Sequence, residues 1–257
     1  MQVLKSFLIA FSLYSRVPVP QFQWEEEDMR YVFCFFPWVG ALIAVCLYGW
    51  LCLCDSCGMG SLCRTMTAAA IPLLITGGFH VDGFMDTMDA VHSYQSKERK
   101  LEILRDSHIG AFAVIMFAVY GMVCLGALSE IERRDLQRIM CSGFFLSRCF
   151  SGISAVSFPL AREDGMLYQF ADSSRRRIVK GSLYLQSAAC VCLMLYWNVF
   201  AGLLAAGVAV SLLVCYFYRS RREFGGVTGD TAGCFVVLCE GGIIAAMALF
   251  NILAKYK

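Results

Sequence analysis

Long apolar stretches constrain this chain more than any other feature of its sequence. A helix that crosses a bilayer needs about 20 predominantly apolar residues. Seven such stretches are present, and the fifth and sixth share one apolar run that Trp197, Asn198 and Gly202 interrupt with a turn signal. We predict spanning helices at 31–54, 63–79, 109–129, 138–160, 182–199, 200–218 and 231–254. The fold class is therefore an all-α polytopic membrane helix bundle in a lipid bilayer, one integral-membrane domain over residues 1–257.

The composition excludes several classes of protein. Hydrophobic residues make up 58% of the 257 residues and charged residues only 16%, whereas soluble domains carry about 25% charged residues. A soluble enzyme and a disordered chain are both excluded. The net charge of +2 supplies no basic surface for a polyanion, so no nucleic acid is expected as a partner. The sequence does not set the oligomeric state, and a homo-oligomer is compatible with it.

Residues 1–20 precede the first predicted span. Their apolar run covers about nine residues and is broken by Arg16, Pro18 and Pro20. Because this run is too short to cross a bilayer, we predict an interfacial or half-inserted helix rather than a signal peptide.

Charged residues are distributed unequally between the two ends of the predicted bundle. Fifteen of the 22 Lys and Arg residues lie on the side of the N-terminus, and six lie on the other side. The positive-inside bias then predicts a cytoplasmic N-terminus and an external C-terminus. Three polar segments, 80–108, 161–180 and 219–230, fall on the N-terminal side and carry most of the acidic residues. We expect them to converge on a cytoplasm-facing site.

The segment 80–108 opens with three aspartates in helical spacing. Asp82, Asp86 and Asp89 stand at i, i+4 and i+7, which places their carboxylates on one stripe of a helix. Like charges at this spacing repel one another, and repulsion is screened less beside an apolar span. A divalent cation is the simplest remedy, and all-oxygen ligands favour magnesium, manganese or calcium.

The rest of this segment predicts a second helix over 97–110. Glu102 and Asp106 are spaced i, i+4 and would face the aspartate stripe, while Arg105 and His108 would supply positive charge to a phosphate. The alternative is a solvated helix whose charges pair with one another.

A glycine-rich segment at 224–233 leads into the last predicted span. Glycines allow a backbone to approach a ligand closely, and the start of a helix favours anions. Asp230 would then lie beside a ligand. An ordinary helix N-cap at Asp230 is an equal alternative.

Two polar residues lie within or beside apolar segments. Arg148 falls inside the fourth predicted span, where a charge is costly and needs a partner. A substrate phosphate is one candidate partner and Glu240 is the structural one. For His80 and His92, hydrogen-bonded structural roles are favoured over metal ligation.

Four motifs together carry a family resemblance. They read GGFHVDGFMDTMDA, LEILRDSHIGA, LAREDGM and FGGVTGDTAG, in this order along the chain. With the N-terminal SRVPVP and FFPWVGALI they resemble the membrane-bound cobalamin synthase family. The combination of HxDGxxDxxD with GGxTGDTxG is the specific part of this resemblance.

The resemblance implies a function. Members of this family transfer α-ribazole or its 5′-phosphate onto adenosylcobinamide-GDP and release GMP. They require a divalent metal, usually Mg²⁺, and reside in the bacterial cytoplasmic membrane. In such a reaction a ribose hydroxyl attacks one phosphorus of a diphosphate, so phosphate charge must be neutralised and a proton accepted.

The resemblance and this chemistry together select candidate residues. The candidate metal ligands are Asp82, Asp86 and Asp89. The candidate catalytic residues are Asp82, Asp89 and Asp106, with Asp89 as the first choice of general base and Asp106 as the second. The candidate substrate-binding residues are His80, Glu102, Arg105, Arg148, Arg162, Gly225, Gly226, Thr228 and Asp230.

Two other functions are alternatives to this one. A CDP-alcohol phosphotransferase also uses clustered aspartates at a membrane, but its motif requires Ala-Arg where Met85 and Asp86 follow Gly83 and Phe84. A secondary transporter would place charges near the bilayer midplane and often has inverted repeats. Here the carboxylates cluster at the ends of spans, and no repeat is visible.

Overall fold

The computed structural model describes residues 2–20 and 22–255. Lys257, which we counted on the side of the C-terminus, lies outside these residues. Within them the secondary structure is helical, apart from one isolated parallel β-bridge between Leu160 and Val227. The prediction of an all-α fold is therefore confirmed.

Eleven α-helices follow one another in the described part of the chain, with one 3₁₀ turn at Glu26–Met29. The helices are α1 (Gln2–Tyr14), α2 (Val32–Ser56), α3 (Ser61–Thr76), α4 (Phe79–His92), α5 (Lys97–Ile103), α6 (Ala111–Ser129), α7 (Arg134–Ser157), α8 (Met166–Ser173), α9 (Arg176–Trp197), α10 (Val199–Phe224) and α11 (Gly229–Lys255).

Six of these helices are long and apolar enough to cross a membrane: α2, α6, α7, α9, α10 and α11. The pair α3 and α4 passes the same criterion jointly, but its two halves meet at 95°. Six or seven spans agree with the seven predicted from the sequence. The predicted break between the fifth and sixth spans is also confirmed, because Asn198 separates α9 from α10 and its side chain accepts a hydrogen bond from the Ala201 N–H.

Two glycines produce the bend between α3 and α4. Gly77 and Gly78 have φ angles of +66° and +81°, a left-handed conformation that glycine adopts without steric cost. The N-terminal segment braces this bend, since the Arg16 backbone N–H donates to the Ile75 carbonyl over 2.7 Å. The predicted second span therefore ends at Thr76, three residues earlier than expected.

Helix α7 forms the centre of the bundle. It packs against α2, α9 and α11, and most of its residues are buried. The approach of α2 is close, because a Cβ at Gly40 would stand 2.1 Å from the Phe144 carbonyl oxygen. Helix α6, in contrast, is apolar around its whole circumference and buries only Ala113 and Leu128. A helix of that kind suits a position facing lipid.

Helix α1 is 13 residues long, too short to span, as predicted. It contacts α2 and the 3₁₀ turn. Lys5 forms an ion pair of 2.9 Å with Asp28, and the Ser6 hydroxyl donates to the Asp28 carbonyl over 2.6 Å. These contacts fix α1 beside the end of the bundle that carries the polar segments.

Candidate active site

The three polar segments meet at one end of the bundle, as the sequence predicted. Helix α4, the start of α11 and the connection 160–168 enclose a cavity of about 260 Å³. Charged side chains that line it are Asp82, Arg162, Asp164 and Asp230. Two close backbone contacts assemble the cavity, and both involve glycines of the motifs.

The first close contact joins α4 to α11. A Cβ at Gly83 would stand 2.8 Å from the backbone oxygen of Asp230, so only glycine allows this approach. A Cβ at Gly233 would likewise stand 3.2 Å from the His80 carbonyl oxygen. The two glycines bring Asp82 and Asp230 to the walls of the same cavity.

The second close contact joins the connection 160–168 to the segment before α11. A Cβ at Gly226 would lie 2.6 Å from backbone atoms of residues 159–161. The Ala161 N–H donates to the Val227 carbonyl over 3.0 Å, and the Val227 N–H donates to the Pro159 carbonyl over 2.9 Å. Gly226 therefore serves the packing of two backbone segments.

Other residues of the glycine-rich motif serve the helix ends. Gly225 ends α10 with a φ of +82°. The Thr228 N–H donates to the Thr231 hydroxyl over 2.9 Å, and the Thr231 N–H donates to the Thr228 hydroxyl over 3.1 Å. This reciprocal pair satisfies donors at the start of α11 that would otherwise lack partners. Sequence reasoning proposed Gly225, Gly226 and Thr228 as ligand contacts, and the structure gives each of them a role in the fold.

The aspartate stripe is formed on α4. The residues Asp82, Asp86 and Asp89 share one helix, and the charges of Asp82, Asp89 and Asp230 all act repulsively on Asp86. Asp89 differs from the others. Its two carboxylate oxygens accept hydrogen bonds from the backbone N–H groups of Gly110 and Ala113, at 2.7 and 2.9 Å. Asp89 thus caps the N-terminus of α6.

Two arginines form ion pairs with acidic residues that line the cavity. Arg162 is 3.2 Å from the Asp230 carboxylate and 3.9 Å from that of Asp164. Arg105 also pairs with Asp164, although it lies 57 residues earlier than Arg162 in the sequence. Asp164 therefore links the second and third motifs, and sequence reasoning did not select it as a site residue. Its position inside LAREDGM was the available signal.

The predicted second helix is shorter than expected. The prediction of a helix over 97–110 is wrong beyond Ile103, where α5 ends. The Asp106 carboxylate accepts from the His108 backbone N–H over 3.0 Å and lies 2.6 Å from the His108 ring nitrogen Nδ1. These hydrogen bonds form a turn and hold the pKa of Asp106 below its usual value.

Glu102 pairs with the exposed Arg99, as the alternative of a solvated helix predicted. Glu102 and Asp106 do not share one helical face.

Arg148 pairs with Glu240, the structural partner, so its guanidinium group is not free. Only 1% of it is exposed, and its Nη1 lies 2.5 Å from the Glu240 carboxylate and 2.7 Å from the Phe144 carbonyl. The pair borders a larger, mainly apolar cavity of about 520 Å³ among α3, α4, α6, α7 and α11.

The two histidines of α4 differ from each other. His92 forms the expected hydrogen bond, 2.7 Å from the Met88 carbonyl. For His80 the expectation of a hydrogen-bonded structural role is wrong. It is 5% exposed, and neither ring nitrogen has a hydrogen-bond partner among the described residues. Its ring instead lies beside those of Tyr14 and Phe36, which contact each other.

The site residues suit a magnesium ion only in one mode of binding. Within residues 2–20 and 22–255, no three His, Cys, Asp or Glu side chains gather closely enough to hold an ion by themselves. Mg²⁺, however, commonly takes one or two carboxylates, several waters and substrate phosphates. The mutually repelling carboxylates of Asp82, Asp86 and Asp230 are the hard oxygen donors that this mode needs. The residues therefore fit an ion shared with a phosphate ligand.

Fold and site together define a polytopic membrane protein with clustered carboxylates and arginines around a cavity at one end of its helix bundle. The sequence model of the cobalamin-5-phosphate synthase family matches residues 6–248, and the chain belongs to this family. An adenosylcobinamide-GDP ribazoletransferase of Lachnoclostridium phytofermentans is 38% identical over 97% of this chain and 94% of its own length. Proteins of the same name from Desulfitobacterium hafniense and Clostridium perfringens are 31% and 26% identical, over 93% and 92% of this chain and 95% and 94% of their own lengths. No solved structure matches the fold.

Proposed function

We propose that this protein transfers α-ribazole or its 5′-phosphate onto adenosylcobinamide-GDP and releases GMP. The observation that carries the proposal is the family match over residues 6–248. Relatives matched over nearly their whole length bear the name of this activity. The cavity adds chemical support, because it joins carboxylates and an arginine at one point as phosphoryl transfer requires.

The reaction is a displacement at phosphorus. A ribose hydroxyl of the ribazole attacks the phosphorus that carries the cobinamide, a new P–O bond forms, and the bond to GMP breaks. The hydroxyl proton leaves to a base, and GMP takes the displaced electron pair. Catalysis therefore needs positive charge beside the phosphates and alignment of the hydroxyl with the leaving group.

The arginines supply part of the positive charge. Arg162 lines the cavity and is about one-fifth exposed, and Arg105 joins it through Asp164. We propose that both contact diphosphate oxygens, which match the planar guanidinium group. We propose Mg²⁺ as the cofactor, held by Asp86 and Asp230 together with waters and phosphate oxygens of the substrate. When bound, it would supply further charge to the phosphate oxygens.

The proton acceptor is proposed to be Asp82. It lines the cavity, and no Lys or Arg in the described part of the chain lies within ion-pair distance of it. The two earlier candidates are less suited to the role. Both oxygens of Asp89 already accept backbone hydrogen bonds, and the lowered pKa of Asp106 makes it a weaker base.

The membrane and the orientation are proposals that rest on charge. An excess of Lys and Arg at the end with the cavity favours a cytoplasmic site in a bacterial inner membrane, with the N-terminus cytoplasmic. Seven crossings, with α3 and α4 as one of them, would put the C-terminus outside. A C-terminal alkaline phosphatase fusion should be active. An inactive alkaline phosphatase fusion, together with a fluorescent GFP fusion at the same point, would overturn this orientation.

The activity is tested with the purified protein in lipid nanodiscs. Adenosylcobinamide-GDP, α-ribazole and Mg²⁺ should yield GMP and a cobamide, whereas a CDP-alcohol with an acceptor alcohol should yield no CMP. We expect Asp82→Asn to lower kcat by about 100-fold or more. Asp172→Asn, an exposed carboxylate at the same end of the bundle, is the matched control and should retain activity. Near-normal turnover by the Asp82 variant would exclude its proposed role, and absence of GMP formation by the wild type would exclude the function.

A further inference from the structure

Positive charge is concentrated where α9 begins. Four basic residues lie close together there, namely Arg175, Arg176, Arg177 and Lys180. The three arginines are exposed and the lysine is half-buried. Asp172 is the only acidic residue of the sequence over the range 165–198. This end of α9 therefore carries a local excess of positive charge.

These four cations lack partners of opposite charge. In the part of the chain that the structure describes, no carboxylate lies within ion-pair distance of any of them. Several other cations at this end of the bundle are paired, namely Lys5 with Asp28, Arg30 with Glu27, Arg99 with Glu102 and Lys100 with Glu223. The first turn of α9 also has no acidic residue, and the positive end of a helix dipole disfavours cations. An anion bound here would reduce this repulsion.

An apolar surface continues from these cations along α9, one of the helices long enough to span. Ile178, Tyr184 and Leu185 are 51%, 57% and 72% exposed. Gly181 is exposed as well, and a Cβ built on it would meet no atom within 4 Å. Arg177, Gly181 and Tyr184 are spaced i, i+4 and i+7, so they share one stripe of the helix. Positive charge is thus followed by a notch without a side chain and then by aromatic and aliphatic groups.

We define the α9 surface as Arg176, Arg177, Lys180, Gly181, Tyr184 and Leu185. Arg175 is left out, because its guanidinium group lies over the Tyr31 ring. The α9 surface combines two kinds of group at the end of one predicted span: cations without partners and apolar side chains that face outward. A ligand that satisfies both has an anionic group and hydrocarbon chains.

We propose that the α9 surface binds an anionic phospholipid, with its phosphate beside Arg176, Arg177 and Lys180 and its acyl chains along Tyr184 and Leu185. Guanidinium groups match phosphate oxygens in geometry, and basic residues clustered beside a span attract anionic lipids. The cations alone would suit any phosphate. The exposed apolar side chains that continue from them favour a lipid over a soluble phosphate. This inference does not depend on the proposed reaction.

The test measures lipid binding to the purified full-length protein in neutral detergent by native mass spectrometry. We expect phosphatidylglycerol to be retained in preference to phosphatidylcholine. The triple variant Arg176→Gln, Arg177→Gln, Lys180→Gln should bind phosphatidylglycerol at least about tenfold more weakly, because each basic residue beside an anionic lipid contributes a factor of about five. Its melting temperature without lipid should equal that of wild type, since the substituted side chains are not in the core.

A matched control removes the same charge elsewhere at this end of the bundle. The triple variant Arg219→Gln, Arg221→Gln, Arg222→Gln on α10 should bind phosphatidylglycerol within about threefold of wild type. A further variant, Gly181→Leu, keeps every charge and fills the notch, and it should weaken phosphatidylglycerol binding by about threefold or more. It also tests the site if the α9 triple variant does not fold.

Four outcomes would overturn the inference. Equal loss of binding in the two triple variants would show that only the net charge of this end matters. Equal retention of phosphatidylglycerol and phosphatidylcholine by wild type would exclude recognition of an anionic lipid. Displacement of the lipid by an equal concentration of glycerol 3-phosphate would indicate a site for soluble phosphates. Unchanged binding in Gly181→Leu would exclude the notch.

Discussion

Arg148 on α7 and Glu240 on α11 form an ion pair of 2.5 Å in the interior of the bundle, with 1% and 11% of their side chains exposed. A charge inside a span needs such a partner, because hydrocarbon does not solvate it. The pair therefore joins the central helix to the last one, and Arg148 is already neutralised without a substrate.

Breaking this pair should destabilise the protein. Glu240→Ala leaves the guanidinium buried and uncompensated, which costs about 3–5 kcal/mol in proteins generally. We expect its melting temperature in detergent to fall by about 6 °C or more. The double variant Arg148→Met, Glu240→Leu should recover much of the loss. If Arg148→Met kept the wild-type melting temperature but lost turnover, Arg148 would instead be a substrate contact.

Asp89 should act through the start of α6. Asp89→Ala removes acceptors for the Gly110 and Ala113 N–H groups, a loss of about 0.5–2 kcal/mol for a helix cap. Hydrogen exchange of residues 110–114 should become faster, while exchange in α9 stays unchanged. Turnover should fall less than in Asp82→Asn. A complete loss of turnover with unchanged exchange at α6 would show that Asp89 takes part in the chemistry.

Two motif glycines should tolerate substitution very differently. Gly226→Ala places a Cβ 2.6 Å from the backbone of residues 159–161, and neither segment can move without breaking the Leu160–Val227 bridge. We expect a loss of about 1–3 kcal/mol, measured as a lower melting temperature. Gly229→Ala, three residues away, meets no atom within 4 Å and is the matched control. Equal melting temperatures for the two variants would contradict this packing role.

The ion pair that anchors α1 should depend on pH. The hydrogen bond from Lys5 holds the pKa of Asp28 below its usual value. The stabilisation is therefore present above the unfolded pKa of about 3.9 and is lost as the pH falls through the lower folded value. Pepsin should cut near residues 15–25 faster in Asp28→Asn than in wild type at pH 4, and the difference should shrink towards pH 2. A constant difference over this range would exclude titration of Asp28 as the cause.

Much of the architecture follows from local patterns. Apolar runs of about 20 residues predict spans because the bilayer thickness sets their length, whatever the neighbours are. The i, i+4, i+7 spacing likewise places Asp82, Asp86 and Asp89 on one stripe as soon as α4 is a helix. The distribution of charge between the two ends was sufficient to predict that the polar segments meet.

The roles of single residues depended on contacts between distant parts of the chain. Glu240 was predicted as one of two partners for Arg148, but only packing of α7 against α11 decided between them. The turn at Asp106 ended the expected second helix, because a local side-chain bond competed successfully with the helical one. The cap that Asp89 provides to α6 joins residues 21 positions apart, beyond the reach of helical periodicity.

The sequence by itself determined the number of spans, the acidic stripe and the end of the bundle that holds it, because hydrophobicity and helical spacing act over a few turns. The tertiary structure alone decided which carboxylates remain free beside the cavity and that His80 is buried without a partner. Those properties arise where helices cross. The glycines that permit the crossings have no side chain, so the sequence does not indicate which residues they contact.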